Sequence, residues 1–337
     1  MIVKVKKIKM DFRTTFQIPK ASYSIDHQSK IMTIGSCFSD EIGNRLIQLK
    51  YKGLINSFGV IFNAFSIQKL IERSIHKTYF NENDVHQNGE QFFCYDVHSS
   101  FNSLSKDEII FQLNQTIDKV HQFLLEADFL IITLGTSWVY KRHESQEIVA
   151  NCHKIPQKEF DKYLLTPEEN FKSLDLIAFE IKKINPKIQI ITTLSPVRHI
   201  KDGFFENNVS KARLLDAIYQ INNKYKHVTY FPSYELVMDD LRDYRFFKED
   251  YIHPNEQAVN YIWQRFSETY FSEETIQINT KINKVISSVN HRPFNEESES
   301  HQKFLMKTLD QIQNIERKYN IDFSEEKNII QAKIKKC

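Results

Sequence analysis

The sequence predicts an α/β protein of three layers, in which helices cover both faces of a mostly parallel sheet. Four short apolar, β-branched runs each end at a glycine or a proline-containing turn. Long amphipathic segments with helical spacing separate these runs. Strands that alternate with helices of this length form βαβ units, and such units build parallel sheets.

The first strand is expected at residues 31–34, because this apolar run ends at Gly35 and a helical pattern follows it at 38–49. The same pattern of an apolar run, a turn and a helical segment recurs along the chain. The other predicted strands are 129–134, 188–194 and 228–231. The other predicted helices are 107–126, 167–184, 209–225, 254–270 and 301–319. Residues 277–289 show no clear period in this interpretation.

The domain organisation follows from the change in pattern after the last strand. We expect one α/β domain at 11–290 and a helical C-terminal extension at 291–337, although no Gly/Ser-rich segment marks a firm boundary. The basic start at residues 4–7 leads into no apolar run long enough for a signal peptide or a membrane span. A cytoplasmic protein without membrane insertion is the expectation.

Composition and charge narrow the function classes. The net charge of +2 gives no general attraction for nucleic acid, so a nucleic-acid partner is not expected. The four cysteines form no C-x-x-C pair, and Cys152-His153 has no partners at ligand spacing. The sequence therefore predicts neither a metal site, nor a cofactor, nor a disulfide framework, and it leaves the oligomeric state unknown.

Polar and small residues follow the predicted strands at the positions where reactive groups collect. Gly35, Gly135 and Ser195 each come directly after a strand. Ligands of open parallel sheets bind beyond the carboxyl ends of the strands, so these three turns should meet. Arg198 lies just beyond Ser195, where it meets either an anionic substrate group or a nearby acid.

The turn Gly35-Ser36-Cys37-Phe38 joins a strand to a helix and carries two small nucleophiles. The helix N-terminus is expected to lower the pKa of a thiol and to stabilise an oxyanion. The simpler interpretation is that Ser36 caps the helix and Cys37 fills space. Asp250 and His253 stand three residues apart in a later turn, where a carboxylate can orient an imidazole toward a nucleophile.

These motifs together resemble the GSCFA family, within the SGNH/GDSL hydrolase superfamily. The resemblance implies a flavodoxin-like α/β/α fold with Asp250 as orienter and His253 as base. A match without gaps places the nucleophile at Cys37, which we favour, while a shift of one residue restores Ser36. Oxyanion donors are expected at the backbone N–H groups of Cys37 and Gly59 and in the turn of Gly135 and Ser137. Ser137 is a shorter donor than the asparagine that the superfamily has at this position. Asn56 or Asn63 is therefore the alternative donor.

The predicted function is acyl ester hydrolysis, for example removal of an acetyl group from a carbohydrate or another small acylated substrate. Acyl transfer to an amine or hydroxyl stays open, as does a non-catalytic module that binds an acylated metabolite or glycan. A redox-sensing thiol at Cys37 is a third hypothesis. His98 either lines the mouth of the substrate site or belongs to an ordinary surface turn.

Overall fold

The computed structural model describes residues 13–296 and 298–334. The basic start at residues 4–7, the expected domain start at Asp11 and Cys337 lie outside the described residues. In chain order the strands are β1 (Lys30–Gly35), β2 (Lys52–Ile55), β3 (His86–Asn88), β4 (Gln91–Phe93), β5 (Phe129–Leu134), β6 (Trp138–Arg142), β7 (Ile148–Val149), β8 (Phe160–Leu164), β9 (Gln189–Leu194) and β10 (Val228–Phe231). The helices are α1 (Cys37–Gln48), α2 (Ala64–His76), α3 (Lys106–Glu126), α4 (Pro167–Ile184), α5 (Phe204–Lys224), α6 (Ser233–Glu235), α7 (Glu256–Tyr270), α8 (Glu273–Val289), α9 (Glu299–Tyr319) and α10 (Ser324–Lys333).

The central sheet has five strands in the order β10-β9-β5-β1-β2, and all neighbours are parallel. Counted along the chain, this is the order 2-1-3-4-5 of flavodoxin-like sheets, so the predicted fold class is confirmed. The strand order reverses between β1 and β5. A crevice opens at such a reversal beyond the carboxyl ends of the two strands, and here these ends carry Gly35 and Gly135.

The strands alternate their side chains between two hydrophobic cores. Ile131 and Ile191 face the core under α1 and α7, whereas Leu130 and Ile190 face the core under α2 to α5. Both faces of the sheet are therefore apolar and covered. This explains why the strands appear in the sequence as continuous apolar runs rather than as alternating ones.

Several elements differ from the sequence prediction. β2 lies at the sheet edge, and its four residues KGLI are too short to give a clear strand pattern. The prediction that 277–289 has no clear period is wrong, because Ile278, Ile282, Val285 and Val289 form the buried face of α8. A small antiparallel sheet of β7, β6 and β8 was not predicted, and it forms one wall of the site described below.

The helices α8, α9 and α10 pack onto the side of the sheet that α1 covers. Phe323 and Ile330 share a core with Leu46 and Tyr51, and Lys50 forms a 2.6 Å ion pair with Glu326. The C-terminal region is helical, as predicted, while the boundary at 290/291 stays a prediction. In the described part of the chain, no helix is long and apolar enough to span a membrane.

Candidate active site

Two adjoining cavities open at the carboxyl edge of the sheet. The larger has a volume of about 630 Å³ and the smaller about 320 Å³. Cys37, Val197 and His253 line both of them. The thiol predicted as nucleophile and the imidazole predicted as base thus lie at the boundary between the two cavities.

The strand-to-helix turn gives Ser36 and Cys37 different positions. Ser36 is 4% exposed and is the N-cap of α1, where its Oγ accepts a hydrogen bond from Phe38 N at 3.3 Å. Cys37 is the first residue of the helix, is partly exposed and lines both cavities, whereas Ser36 lines only the larger. Its N–H has no acceptor within the helix, as is normal for a first-turn residue. The geometry therefore favours Cys37 over Ser36 as the reactive side chain.

The turn is held in place by a residue from the neighbouring loop. Asn56 Oδ1 accepts a 2.8 Å hydrogen bond from Gly35 N, and Asn56 Nδ2 donates a 2.6 Å bond to Asp40 Oδ1. Gly35 has a φ of +148°, and a Cβ there would lie 2.2 Å from Thr133 O. A side chain at this position has neither the backbone conformation nor the space it needs. The role that the sequence left open for Asn56 is thus to fix the turn.

The thiol is not activated as the sequence predicted. Burial raises the pKa of Cys37, the negative charge of Asp40 raises it further, and the hydrogen bonds from the first-turn N–H groups lower it only in part. The expectation of a thiolate formed by the helix N-terminus alone is corrected by this balance. A general base has to remove the thiol proton.

The Asp250–His253 pair is formed as predicted from their spacing. Asp250 Oδ2 is 2.6 Å from His253 Nδ1, and Oδ1 accepts bonds from the N–H groups of Ile252 and His253 at 2.9 and 3.0 Å. The hydrogen bonds from the His253 and Ile252 N–H groups, together with the imidazole bond, hold the pKa of Asp250 well below its usual range. A carboxylate at Nδ1 leaves Nε2 of the neutral ring as the acceptor for a proton.

Arg198 joins the loop after β9 to the loop that carries His253. Its Nη2 donates to Tyr251 O, and its guanidinium lies 4.9 Å from the centroid of the Phe247 ring and 5.5 Å from that of Tyr244. No carboxylate of the described residues pairs with it, so the salt bridge that the sequence left open as one alternative is not formed there. Arg198 also lines the larger cavity, which keeps its predicted contact with an anionic group open.

Two expected oxyanion donors have other partners. Gly59 N donates a 2.7 Å bond to Asn56 O, which closes a turn and removes this N–H from the site. Gly59 instead makes room for His98, since a Cβ at Gly59 would lie 2.3 Å from His98 Cβ. Ser137 is fully buried, and its Oγ donates to Ser210 O at 3.0 Å. These positions correct the prediction that Gly59 and Ser137 supply donors.

Asn63 and His98 line the larger cavity and offer donors in their place. Asn63 Oδ1 caps α2 by accepting from Ser66 N at 2.8 Å, while Nδ2 has no partner among the described residues. His98 Nδ1 accepts a 3.2 Å bond from Ser100 N, so the neutral ring carries its proton on Nε2. An oxyanion therefore has three candidate donors: Cys37 N, Asn63 Nδ2 and His98 Nε2.

Other lining residues were not singled out from the sequence. His199 lines the larger cavity, and burial, followed by the charge of Lys211, lowers its pKa to about 4. Lys162 pairs with Asp202 and lies 4.9 Å from the Trp138 ring centroid. Gly135 admits Phe62 to the cavity wall, since a Cβ there would lie 2.8 Å from Phe62 Cβ. The only sequence signal for His199 is its place just after β9.

Within the described residues, no three His, Cys, Asp or Glu side chains are placed to hold a metal ion. Cys152 also lines the larger cavity, and burial raises its pKa to about 11. His153, next to it, is stacked on Phe93 with a 4.6 Å separation of ring centroids. Cys152 is thus part of the cavity wall, while the buried His153 belongs to the aromatic packing behind it.

Fold and site together define a doubly wound α/β protein with a thiol, an imidazole and a carboxylate at the switch point of its sheet. The model of the GSCFA family matches residues 30–266, and that of the GSCFA domain protein, C-terminal domain, matches residues 282–336. The chain belongs to the GSCFA family.

The comparison with curated proteins gave no match. Among solved structures, a carbohydrate esterase family 3 from Talaromyces cellulolyticus is similar at 8% identity and a TM-score of 0.35, over 75% of this chain and 99% of that chain. A likeness of this degree says nothing about the reaction.

Proposed function

We propose that this protein cleaves or transfers a short acyl group from an ester, with Cys37 as nucleophile, His253 as general base and Asp250 as its orienter. One observation carries the proposal: Cys37 and the Asp250-bound His253 line the same two cavities. A nucleophile and an oriented base that share a site are the minimum for covalent acyl transfer. The strand order and the late Asp-x-x-His turn also support placement in the SGNH/GDSL superfamily.

The reaction follows from the groups at the site. His253 Nε2 takes the thiol proton, Cys37 Sγ attacks the carbonyl carbon, and the oxyanion is met by the N–H of Cys37 and the side chain of Asn63. The C–O bond then breaks, and the imidazolium returns its proton to the leaving alkoxide. Water or another hydroxyl next attacks the thioester while His253 takes its proton; the C–S bond breaks, and the imidazolium returns that proton to the leaving Cys37 Sγ.

The two cavities suit the two parts of an ester. The smaller is the proposed space for a short acyl group. Its lining combines the apolar side chains of Phe38, Val197 and Val259 with the charged Glu41 and Lys248. The larger mixes apolar and polar lining residues and carries three cationic side chains, Lys162, Arg198 and Lys201, against the carboxylate of Asp202, which pairs with Lys162. This balance favours a polar alcohol portion, such as a carbohydrate, that bears a negative charge.

The test is intact mass after incubation with a short activated acyl ester. We expect an acyl adduct in the wild type and in Ser36→Ala, none in Cys37→Ala, and slow formation in His253→Ala. An adduct that survives Cys37→Ala but not Ser36→Ala moves the nucleophile to Ser36. Ligand binding with no adduct and no turnover overturns the proposal and supports a binding module. A hydroxyl acceptor added in the same assay separates transfer from hydrolysis by the product formed.

A further inference from the structure

The first turns of α5 carry a buried polar stripe made of Asn207, Ser210 and Lys211, which are 3%, 2% and 1% exposed. Their spacing of three and four residues puts them on one face of the helix. The buried residues farther along α5 are all apolar. Because α5 follows β9, it begins at the carboxyl edge of the sheet, and the polar stripe meets the loops of the site rather than the strands.

Lys211 joins the loops that follow β5 and β9. Its Nζ donates two hydrogen bonds of 2.7 Å, to Gly135 O and to Ser195 O. Burial lowers the pKa of Lys211 to about 7. An ammonium has three N–H donors and a neutral amine has two, so either form of Lys211 can serve both carbonyls.

Ser210 and Asn207 bind the same two loops. Ser210 Oγ accepts a 2.8 Å hydrogen bond from Ser137 N, and Ser210 O accepts a 3.0 Å bond from Ser137 Oγ. Asn207 Oδ1 accepts a 2.9 Å bond from His199 N. All three members of the polar stripe therefore hold loops that line the larger cavity.

On the β5 side, the contact with Lys211 is passed on to Asn63. The C=O and N–H of a trans peptide point in opposite directions, so a Gly135 carbonyl that points at Lys211 turns the Thr136 N–H away from it. This N–H lies 3.4 Å from Phe62 O, which also accepts a 2.7 Å bond from Gly135 N. Phe62 directly precedes Asn63, whose Nδ2 is one of the candidate oxyanion donors.

On the β9 side, the contact is passed on to Val197. Ser195 is fully buried, and while its carbonyl binds Lys211, its Oγ accepts a 3.3 Å bond from Val197 N. Val197 lines both cavities together with Cys37 and His253. Lys211 thus holds one loop that leads to an oxyanion donor and one that forms the boundary between the cavities.

We propose that the polar stripe of α5, with Lys211 as its central residue, is a positioning element that holds Asn63 where the oxyanion forms and Val197 at the boundary of the cavities. This inference rests on the proposed function, because the oxyanion belongs to the acyl-transfer step. Without Lys211, two buried carbonyls lose their donor. The Gly135 peptide then has no reason to keep its orientation, and the bonds to Phe62 O weaken.

The test compares two reactions of Cys37 in Lys211→Met. Acylation by a short activated ester passes through an oxyanion, whereas alkylation by iodoacetamide does not. We expect the maximal acylation rate to fall about 10-fold to 100-fold, and the alkylation rate to stay within about twofold of the wild type. Lys224→Met, at the exposed end of the same helix, is the matched control and should leave both rates unchanged. An equal loss in both reactions of Lys211→Met overturns the inference.

Asn63→Ala tests the route of the effect. If Lys211 acts through Asn63, then Lys211→Met should slow acylation much less in the Asn63→Ala background than in the wild type. The same slowing factor in both backgrounds contradicts the proposed route.

Should Lys211→Met fail to fold, Ser210→Ala removes a smaller part of the same stripe. We expect its acylation rate to fall about threefold to tenfold with unchanged alkylation, and equal slowing of the two reactions contradicts the inference.

Hydrogen exchange of the Gly135 and Thr136 amides needs no ester and separates the two proposals. Exchange should be faster in either variant, because the bonds to Phe62 O are weakened, and unchanged exchange overturns the inference. A wild-type protein that forms no acyl adduct refutes the proposed function instead.

Discussion

The two halves of the site are built in opposite ways. The half that carries Cys37 is mostly buried, with only the Cys37 side chain partly exposed, and is held by distant parts of the chain, through Asn56 and through the Thr133 carbonyl that accepts from Ser36 N at 3.0 Å. The half that carries Asp250 and His253 is exposed, with 43% and 41% of their side chains accessible. The hydrogen bonds of the Asp250 side chain close within four consecutive residues, and one side-chain bond from a distant segment, from Arg198 to Tyr251 O, reaches this turn.

This difference between the two halves predicts which substitutions affect stability and which affect only the chemistry. An exposed turn with local bonds contributes little to the free energy of folding, whereas a buried turn held by long-range bonds depends on the packing around it. Substitutions in the exposed half should therefore affect activity alone. Those in the buried half should affect stability and activity together.

The largest effect is expected for His253→Ala. Loss of the general base should lower kcat/KM by about 100-fold to 10,000-fold. The free energy of unfolding should change by less than about 0.5 kcal/mol, because the side chain is exposed. Ester turnover and urea denaturation measure the two quantities, and His76→Ala, outside the cavities, is the control. Unchanged turnover contradicts the assigned base.

Asn56→Ala tests the buried half of the site. Gly35 N loses its partner at a buried position and Asp40 loses one at a half-buried position, which should cost about 2 to 4 kcal/mol of stability and reduce acyl-adduct formation. Asn56→Asp sets a carboxylate against Asp40 and should be as harmful. The double variant Asn56→Asp with Asp40→Asn exchanges acceptor and donor, so we expect it to recover most of the stability by thermal denaturation. No recovery contradicts the role given to this pair of bonds.

Asp40→Asn by itself tests how the Asp40 carboxylate affects the pKa of Cys37. The carboxylate raises the pKa of Cys37, so its removal lowers that pKa and enlarges the thiolate fraction at neutral pH. Alkylation of Cys37 at pH 7.5 should become about threefold to tenfold faster. Glu41→Gln is the matched control, because Glu41 contributes least to the shift and should change the rate less. A slower reaction in Asp40→Asn would mean that the carboxylate lowers the pKa of Cys37, and it contradicts this account.

The smallest effect is expected for Arg198→Gln. The variant loses the bond to Tyr251 O and the contact with Phe247, so the loop that presents His253 should be less well ordered. We expect kcat/KM to fall about threefold to tenfold with unchanged stability. Arg242→Gln, an exposed change on a neighbouring segment, should leave kcat/KM at the wild-type value. Equal effects of the two variants show that the tether is dispensable.

Local pattern was sufficient for the strands at 129–134 and 228–231, because an apolar β-branched run bounded by turns has few other solutions. It was not sufficient for β2 or for the antiparallel sheet of β6, β7 and β8, whose short strands owe their form to pairing. The prediction for 277–289 failed because the apolar spacing of α8 is diluted by polar residues on its outer face.

The sequence by itself determined the fold class and the Asp250–His253 pair, since periodicity, turn residues and a spacing of three are local properties of the chain. Tertiary structure alone decided which donors face the cavities, because the hydrogen bonds that occupy Gly59 N and Ser137 Oγ depend on neighbouring segments. It also decided the protonation of the thiol, since burial and Asp40 outweigh the helix N-terminus. Lys211 is the clearest case: in the sequence it is one lysine of an amphipathic helix, and only packing removes it from water and places it behind the site.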